Sequence, residues 1–348
     1  MGFRHLTCTL SAALALLAAV VAIPGAAGAA QAPPPSEGPG CRYLAKAPPG
    51  PRGNVLLIDR GESVGVRRAG EAIEVVHRGG LGSVIACAGP PATVSSIDRI
   101  VYRPASGGHQ LTIDESGGLL APGATPEPGG DEIEIYADFP RAHGYIPSGV
   151  RVQGTPGPDW MRIGRLSGDR TGIDLDVGHD GAHPDVDVFA HAVSRGHYTL
   201  DGRDGDDRLS SAGDGPELLG PLPEGADVLR GGDGRDLILG GPRRDVIRGE
   251  GGEDRIYGRG GDDSIDSGPG ADRVVAGAGD DTVLARAVAG DEVGDLISGG
   301  PGDDSISVVN GVRDRVECGA GRRDQLRVDT LDVWDRASCE KVHGPGAP

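Results

Sequence analysis

Aspartates recur every nine residues through the second half of the chain, and carboxylates held at a fixed spacing are candidate ligands for a cation. The repeating side chains are Asp227, Asp236, Asp245, Asp254, Asp263, Asp272 and Asp281, and two further units supply Asp295 and Asp304. Stacked carboxylates repel one another unless a cation lies between them. Ca²⁺ accepts about six to eight oxygen ligands in flexible geometry, whereas Mg²⁺ demands a stricter octahedron. The pattern therefore predicts several bound Ca²⁺ ions.

Each aspartate belongs to a unit of the form GGxGxDxUx, where U is a large aliphatic residue. The aliphatic residues at this eighth position are Leu229, Ile238, Ile247, Ile256, Ile265, Val274 and Val283. The glycines permit positive φ and tight turning. The last three residues of the unit read as a very short strand whose aliphatic side chain faces inward. One unit is then a turn plus a strand, and two units close one coil.

Stacking such coils places alternate units above one another at a strand spacing of roughly 4.8 Å. Leu229, Ile247, Ile265 and Val283 then line one wall, and the intervening aliphatic residues line the other. The same arithmetic pairs Asp236 with Asp254 and not with the adjacent Asp245. Two parallel sheets are the expected result.

The motif resembles the repeats-in-toxin (RTX), or haemolysin-type, calcium-binding nonapeptide family. The resemblance implies an all-β fold, a right-handed parallel β-roll or β-solenoid with Ca²⁺ in its Gly/Asp-rich turns. It also implies that the sixth-position aspartates bind the ions together with backbone carbonyls of the turns. The glycines implied as carbonyl donors are Gly231, Gly232, Gly234, Gly249, Gly251, Gly258 and Gly260.

The repeats depart from the family pattern at several positions. Arg243 and Val293 replace fourth-position glycines, and Pro223 and Glu250 occupy second positions. A second aspartate precedes the sixth-position one in several units. We interpret these residues as solvated turn residues and not as ligands: Asp206, Asp262, Asp280 and Asp303.

The organisation of the chain follows from its changes in composition. The apolar run Leu10–Ile23, followed by small residues, is typical of a secretory signal peptide. The expected segments are a signal peptide at 1–30, a Pro-rich leader at 31–40, an N-terminal β region at 41–150, a degenerate repeat solenoid at 151–224, the RTX repeats at 225–317 and a C-terminal cap and tail at 318–348. LTIDESGGLLAPGA at 111–124 also resembles the amino-terminal β region of secreted actinobacterial members.

Signal cleavage removes Cys8 and leaves four cysteines, which in an exported protein indicate disulfides. Four cysteines allow three connectivities. We favour Cys41–Cys87 and Cys318–Cys339, because each pair closes a local loop at one end of the chain. Their spacing is unlike the CxxC pairs of zinc sites. Trp334, near the second pair, is expected to cover the end of the core.

The charge balance restricts the partners that the chain can bind. A formal net charge of −18 argues against nucleic acid and anionic lipid and favours cations. The sequence contains neither HExxH nor GxSxG, the signatures of metalloproteases and of serine hydrolases. A transition-metal site is a weaker interpretation of four histidines than plain surface or strand residues: His179, His183, His191 and His197. A glycosidase groove is likewise a weaker interpretation of four alternating aspartates than solvated strand faces or degenerate Ca²⁺ turns: Asp174, Asp176, Asp185 and Asp187.

The sequence therefore predicts a secreted, extracellular calcium-binding repeat protein that folds on binding Ca²⁺ and acts as a structural or binding module. It assigns no catalytic residue, no membrane span after signal cleavage and no named extracellular partner. The alternative is a secreted hydrolase, a glycosidase or polysaccharide lyase, that uses the β-solenoid face at 41–200.

Overall fold

The computed structural model describes most of the chain beyond the predicted leader. The described residues are 40–44, 54–59, 62–77, 83–104, 108–117, 120, 133–139, 149–165, 170–177, 188–191, 197–211, 227–288 and 293–345. The predicted signal peptide lies outside these residues, as do Pro223, His179, His183, Asp185 and Asp187. Within the described ranges every regular element is a β-strand, and none is a helix long and apolar enough to cross a membrane.

Short strands follow one another along the chain, separated by turns. The strands before the regular repeats are β1 Gly40–Leu44, β2 Val55–Asp59, β3 Val64–Ala69, β4 Ala72–His77, β5 Val84–Ile85, β6 Arg99–Arg103, β7 Gln110–Asp114, β8 Glu134–Asp138, β9 Gly149–Gln153, β10 Asp159–Arg165, β11 Arg170–Val177, β12 Val188–His191, β13 His197–Asp204 and β14 Arg208–Ser210. The strands of the repeats and of the C-terminal end are β15 Val228–Asp233, β16 Leu237–Leu239, β17 Val246–Gly251, β18 Arg255–Gly260, β19 Ser264–Asp266, β20 Arg273–Ala278, β21 Thr282–Leu284, β22 Leu296–Pro301, β23 Ser305–Ser307, β24 Arg315–Ala320, β25 Gln325–Arg327, β26 Val333–Trp334 and β27 Lys341–His343.

The described strands form two long sheets. Sheet one runs β1-β2-β6-β8-β12-β11-β10-β14-β16-β18-β20-β22-β24-β26, and sheet two runs β27-β25-β23-β21-β19-β17-β15-β13-β9-β7-β3-β4-β5. From β13 onward the chain alternates between the sheets, so each strand pairs in parallel with the strand two places later. Leu229 pairs with Ile247, and Ile238 pairs with Ile256. The predicted coil of two units and the predicted parallel β-solenoid are confirmed.

The eighth-position aliphatic side chains fill the space between the sheets. Leu229, Ile238, Ile247 and Ile256 are each 0 % exposed. They belong to one continuous hydrophobic cluster that extends from Cys41 to Cys339. Each such side chain contributes about 1.5–3 kcal/mol by leaving water, so the core is assembled from small, equal increments.

The first part of the chain is less regular than the repeats. β1 with β2, β3 with β4, and β4 with β5 pair antiparallel at one end of the sheets. β10, β11 and β12 form a second antiparallel set within sheet one. The reason is local: short connections such as Gly70 and Glu71 between β3 and β4 reverse the chain, because only antiparallel neighbours can be joined so tightly.

A disulfide lies at each end of the solenoid. Disulfides join Cys41 to Cys87 and Cys318 to Cys339, with Cα–Cα distances of 4.5 and 5.2 Å, which confirms the favoured pairing. Trp334, on the last strand of sheet one, packs against the core cluster as expected. The guanidinium of Arg336 lies 5.9 Å from the centre of the Trp334 ring.

Candidate metal centre

The sixth-position aspartates form ladders that run along the solenoid. The Oδ1 atom of Asp254 accepts a hydrogen bond from the backbone N–H of Asp236 at 2.9 Å, and Oδ1 of Asp272 accepts from Asp254 at 2.9 Å. On the opposite side, Oδ1 of Asp263 accepts from Asp245 at 2.8 Å, and Oδ1 of Asp281 accepts from Asp263 at 2.8 Å. The pairing of Asp236 with Asp254, predicted from the repeat length, is therefore observed as a direct hydrogen bond.

The ladders extend further than the regular repeats do. One column joins Asp159, Asp207, Asp236, Asp254, Asp272, Asp295, Asp314 and Asp332. The other joins Asp227, Asp245, Asp263, Asp281, Asp304 and Asp324 and ends on the Glu340 carboxylate. Asp332 and Glu340 were not singled out from the sequence, and they lie where the repeat pattern has decayed. Each is an acidic residue immediately before a short strand, β26 or β27, and this position is the sequence signal that could have identified it.

These carboxylates are buried, and one oxygen of most of them has no partner. Every predicted aspartate ligand from Asp227 to Asp304 is at most 6 % exposed. The second oxygen, Oδ2, is buried without a hydrogen bond in Asp207, Asp236, Asp254, Asp263, Asp272, Asp281, Asp304, Asp314 and Asp324. A buried charge left without a partner is strongly destabilising, so these atoms require a cation or a proton.

Burial also raises the pKa of these carboxyl groups. Removal from water raises the pKa of Asp263 to about 8, and the neighbouring charges of Asp245 and Asp281 raise it further against the opposing hydrogen bond from Asp245. Burial raises the pKa of Asp272 to about 8 and that of Asp254 to about 6. The ladders are thus stacks of carboxylates whose negative charge is poorly compensated by the protein itself.

Glycine at the first position of the unit makes room for the unpartnered oxygens. A Cβ atom on Gly231 would collide with Oδ2 of Asp236 and would lie 2.6 Å from the Gly249 carbonyl oxygen. A Cβ atom on Gly258 would lie 2.5 Å from Oδ2 of Asp263 and would collide with the Ala276 carbonyl oxygen. Carboxylate and carbonyl oxygens therefore crowd the same small space, and oxygen donors of this kind fit Ca²⁺.

Positive φ is a property of the second and fourth positions of several turns. Gly232 and Gly234 have φ of 126° and 149°. Glu250 occupies a second position without being glycine and nevertheless adopts φ of 72°, as does Arg259 with 73°. Conformations of this kind are costly for residues with a Cβ atom and persist only where the surroundings impose them. The substitution at Glu250 thus leaves the turn intact.

A second, outer row of aspartates accepts hydrogen bonds from the following coil, whereas the ladder aspartates accept them from the preceding coil. Oδ1 of Asp262 accepts from the backbone N–H of Asp280 at 3.0 Å, and Oδ1 of Asp280 accepts from Asp303 at 2.9 Å. Asp206 likewise accepts from the N–H of Arg235 at 3.0 Å. Asp262 and Asp280 are exposed. These residues connect adjacent coils, a role that their interpretation as solvated turn residues did not include.

The ladder segment matches a known repeat family. Four copies of the RTX calcium-binding nonapeptide repeat model match residues 224–253, 239–274, 248–283 and 290–308. The chain therefore contains RTX-type repeats. No curated protein and no solved structure matches the chain. RTX repeats bind calcium as a class. In this chain the matched repeats supply the central aspartates of both ladders.

The RTX ladders continue through coils that the family model does not match. Asp159 and Asp207 precede the matched segments, and Asp314 and Asp332 follow them, yet all four are buried members of the same column. Among the described residues, no three His, Cys, Asp or Glu side chains converge on one point. An ion in these turns would therefore be held by one or two carboxylates together with backbone carbonyls.

Four of the weaker candidates and the predicted carbonyl donors can be placed on the described strands and turns. Asp174 and Asp176 lie on β11, His191 ends β12 and His197 begins β13. The predicted carbonyl donors Gly231, Gly232, Gly234, Gly249, Gly251, Gly258 and Gly260 all lie in the RTX turns or at the strand ends that enter them. Their role as ligands stays a prediction.

Proposed function

We propose that this protein is secreted and that its RTX repeats fold by binding several Ca²⁺ ions outside the cell, forming a rigid structural or binding module. The observation that carries the proposal is the set of buried, unpartnered Oδ2 atoms along both aspartate ladders. In Asp236, Asp254, Asp263 and Asp304 this oxygen faces a first-position glycine and a carbonyl of the neighbouring coil. A hard divalent cation would neutralise the carboxylates and complete their coordination.

The ligands that we assign are the sixth-position aspartates Asp227, Asp236, Asp245, Asp254, Asp263, Asp272, Asp281, Asp295 and Asp304, with carbonyls of the Gly-rich turns. In most of them Oδ1 already accepts a backbone N–H of the preceding coil, so Oδ2 is the oxygen left for the ion. In Asp227 the buried oxygen without a partner is Oδ1 instead. In Asp295, Oδ2 accepts a hydrogen bond from the Ser267 hydroxyl at 3.4 Å. Asp245 differs, because its Oδ2 accepts the N–H of Gly241 at 2.7 Å. We expect weaker binding at that position.

Calcium titration of the metal-free protein tests the proposal. Because the binding sites are absent in the unfolded chain, the free energy of ion binding appears as free energy of folding. Far-UV circular dichroism of EGTA-treated mature protein should show a gain of β structure as Ca²⁺ is added. Extracellular modules respond at about 10⁻⁴–10⁻³ M. Mg²⁺ at equal concentration is the matched control and should produce a smaller change. A spectrum that Ca²⁺ leaves unaltered contradicts the proposal.

Secretion is tested separately on the exported protein. The first residue of the mature chain should lie just after the small residues at 27–30, since a signal peptidase cleaves behind such residues. Amino-terminal sequencing of protein recovered from the culture medium gives that residue directly. A chain that begins at Met1 and stays with the cells would exclude a cleaved signal.

A further inference from the structure

One outer face of the solenoid carries a row of arginine and leucine side chains. The row is the seventh repeat position of sheet one, the residue before each buried aliphatic residue. Its members on β14, β16, β18, β20, β22 and β24 are Arg208, Leu237, Arg255, Arg273, Leu296 and Arg315. Each is register-paired with the next, so the row follows the long axis of the sheet.

The arginines of this row are available to a partner. Arg255, Arg273 and Arg315 are exposed. Ion pairs in the described part of this region involve Arg235, Arg286 and Arg323 instead. At about 4.8 Å per strand, Arg255 and Arg273 are neighbours, and the row from Arg208 to Arg315 is roughly 24 Å long.

The row is specific to one face of the molecule. The same seventh position on the opposite sheet is uncharged from β15 to β23, with Val228, Val246, Ser264, Thr282 and Ser305. The repeat itself therefore does not require arginine there. The opposite sheet carries its arginines in the ninth-position column instead, where Arg230 and Arg248 are followed by Asp266.

Aromatic and aliphatic surface accompanies the positive charge. The guanidinium of Arg208 lies 5.1 Å from the centre of the Trp160 ring, at the start of the row. The neighbouring ninth-position column includes half-buried Leu239, Tyr257 and Val275. Leu296 is 47 % exposed within the row itself. The face thus offers two cations at strand spacing, Arg255 and Arg273, beside the Tyr257 ring and aliphatic side chains. The exposed acid Glu317 lies at the far end of the ninth-position column.

We propose that this face is a docking surface for a linear acidic polysaccharide that bears carboxylates at intervals of one or two sugars. Guanidinium groups bind carboxylates through paired hydrogen bonds, and the apolar faces of sugar rings pack on side chains such as Tyr257. A straight row along a quasi-one-dimensional fold suits an extended chain. The inference rests on the proposed function, because calcium-driven folding would build the row.

The surroundings of the row favour a sparsely charged polymer over nucleic acid. The turns that leave β18 and β20 carry the exposed carboxylates of Asp262 and Asp280. A duplex presents a charge about every 1.7 Å along its axis and would bring many phosphates against these acids. A glycan with separated carboxylates can place its charges on the arginines alone.

Calorimetry tests the inference by measuring the binding of hyaluronate oligosaccharides to calcium-saturated, full-length mature protein. The double variant R255Q/R273Q should bind about five- to thirtyfold more weakly, because two exposed charge pairs are lost. The matched control is R230Q/R248Q, which removes two register-paired arginines from the opposite sheet and should bind as the wild type does. Added salt should weaken wild-type binding, and neutral dextran should not bind.

Circular dichroism on the same samples separates the two proposals. If Ca²⁺ orders the protein and hyaluronate does not bind, the docking surface is wrong and the proposed function stands. Binding that survives in R255Q/R273Q, or that falls equally in R230Q/R248Q, also overturns it. Phosphatidylglycerol vesicles that bind with the same arginine dependence while hyaluronate does not would assign the face to lipid instead. If Ca²⁺ leaves the spectrum unchanged, the proposed function fails whatever hyaluronate does.

Discussion

Replacing Asp254 by Asn should have opposite effects on the metal-free and the calcium-bound protein. The substitution keeps an oxygen that can accept the N–H of Asp236, now at 2.9 Å from Oδ1. It removes the charge on the second oxygen, which is buried without a partner. Without calcium that charge destabilises the fold, whereas with calcium the same charge binds the ion.

The magnitude in the metal-free state follows from the pKa of Asp254. Burial raises this pKa from 3.8 to about 6, against the hydrogen bond from Asp236. The gap is about two units at about 1.4 kcal/mol each, so loss of the charge at pH 8 should stabilise metal-free protein by at most about 3 kcal/mol. In the calcium-bound state, one fewer charged ligand should raise the calcium midpoint about tenfold.

Urea unfolding in EGTA and calcium titration by circular dichroism measure the two effects. Asp262→Asn is the matched control, because it removes an equal charge from an exposed residue of a nearby turn. It should change stability by about 0.5 kcal/mol or less in either state. An unchanged calcium midpoint in Asp254→Asn, or a less stable metal-free variant, would refute the assignment of Oδ2 as the ligand atom.

Three further perturbations test the architecture. Ile256→Ala empties a fully buried position and should cost about 2–5 kcal/mol in calcium-saturated protein, measured by urea unfolding, whereas exposed Ser264→Ala should cost little. Cys318→Ser with Cys339→Ser should cost about 3 kcal/mol, since the bridge closes a segment with a sequence separation of 21; unchanged melting would contradict its role as a cap. The third perturbation is pH. The pKa of Asp263 is raised in the folded state to about 8, so its protonation stabilises the metal-free fold fully below the ordinary pKa of 3.8, and this stability is lost as pH rises through about 8. Metal-free protein should therefore lose β structure as pH rises from 3.8 to about 8. The calcium midpoint should rise on acidification, because protons compete with the ion. A metal-free spectrum that is constant over this range would contradict the ladder charges.

The periodic part of the fold was accessible from the sequence. A fixed unit length fixes which residues stack, so the burial of Ile238 and Ile256 and the pairing of Asp236 with Asp254 follow from counting alone. The disulfide pairing also followed from position along the chain. In each case the prediction depends on residues that are near in sequence or that recur at a fixed spacing, and it requires no knowledge of long-range packing.

The remaining features depend on geometry that the repeat does not encode. The ladder crosses irregular spacings, 29 residues from Asp207 to Asp236 and 23 residues from Asp272 to Asp295, where the sequence has extra residues between two units. Counting in nines loses the register at both places. That Oδ1 accepts a backbone N–H and leaves Oδ2 alone became visible only with the coils stacked. The arginine row was equally hidden, because its members alternate with residues of the other sheet along the chain.

The inner and outer aspartate rows accept hydrogen bonds from opposite neighbouring coils, and this arrangement determines how cooperative folding is. The inner row ties each coil to the one before it, and the outer row, where present, ties the coil to the one after it. Neither kind of bond reaches beyond the nearest neighbour. Ordering can therefore start at any coil and spread both ways, as in a one-dimensional lattice. Total stability should grow nearly in proportion to the number of coils, and a defect in the middle should divide the protein into two segments that melt separately.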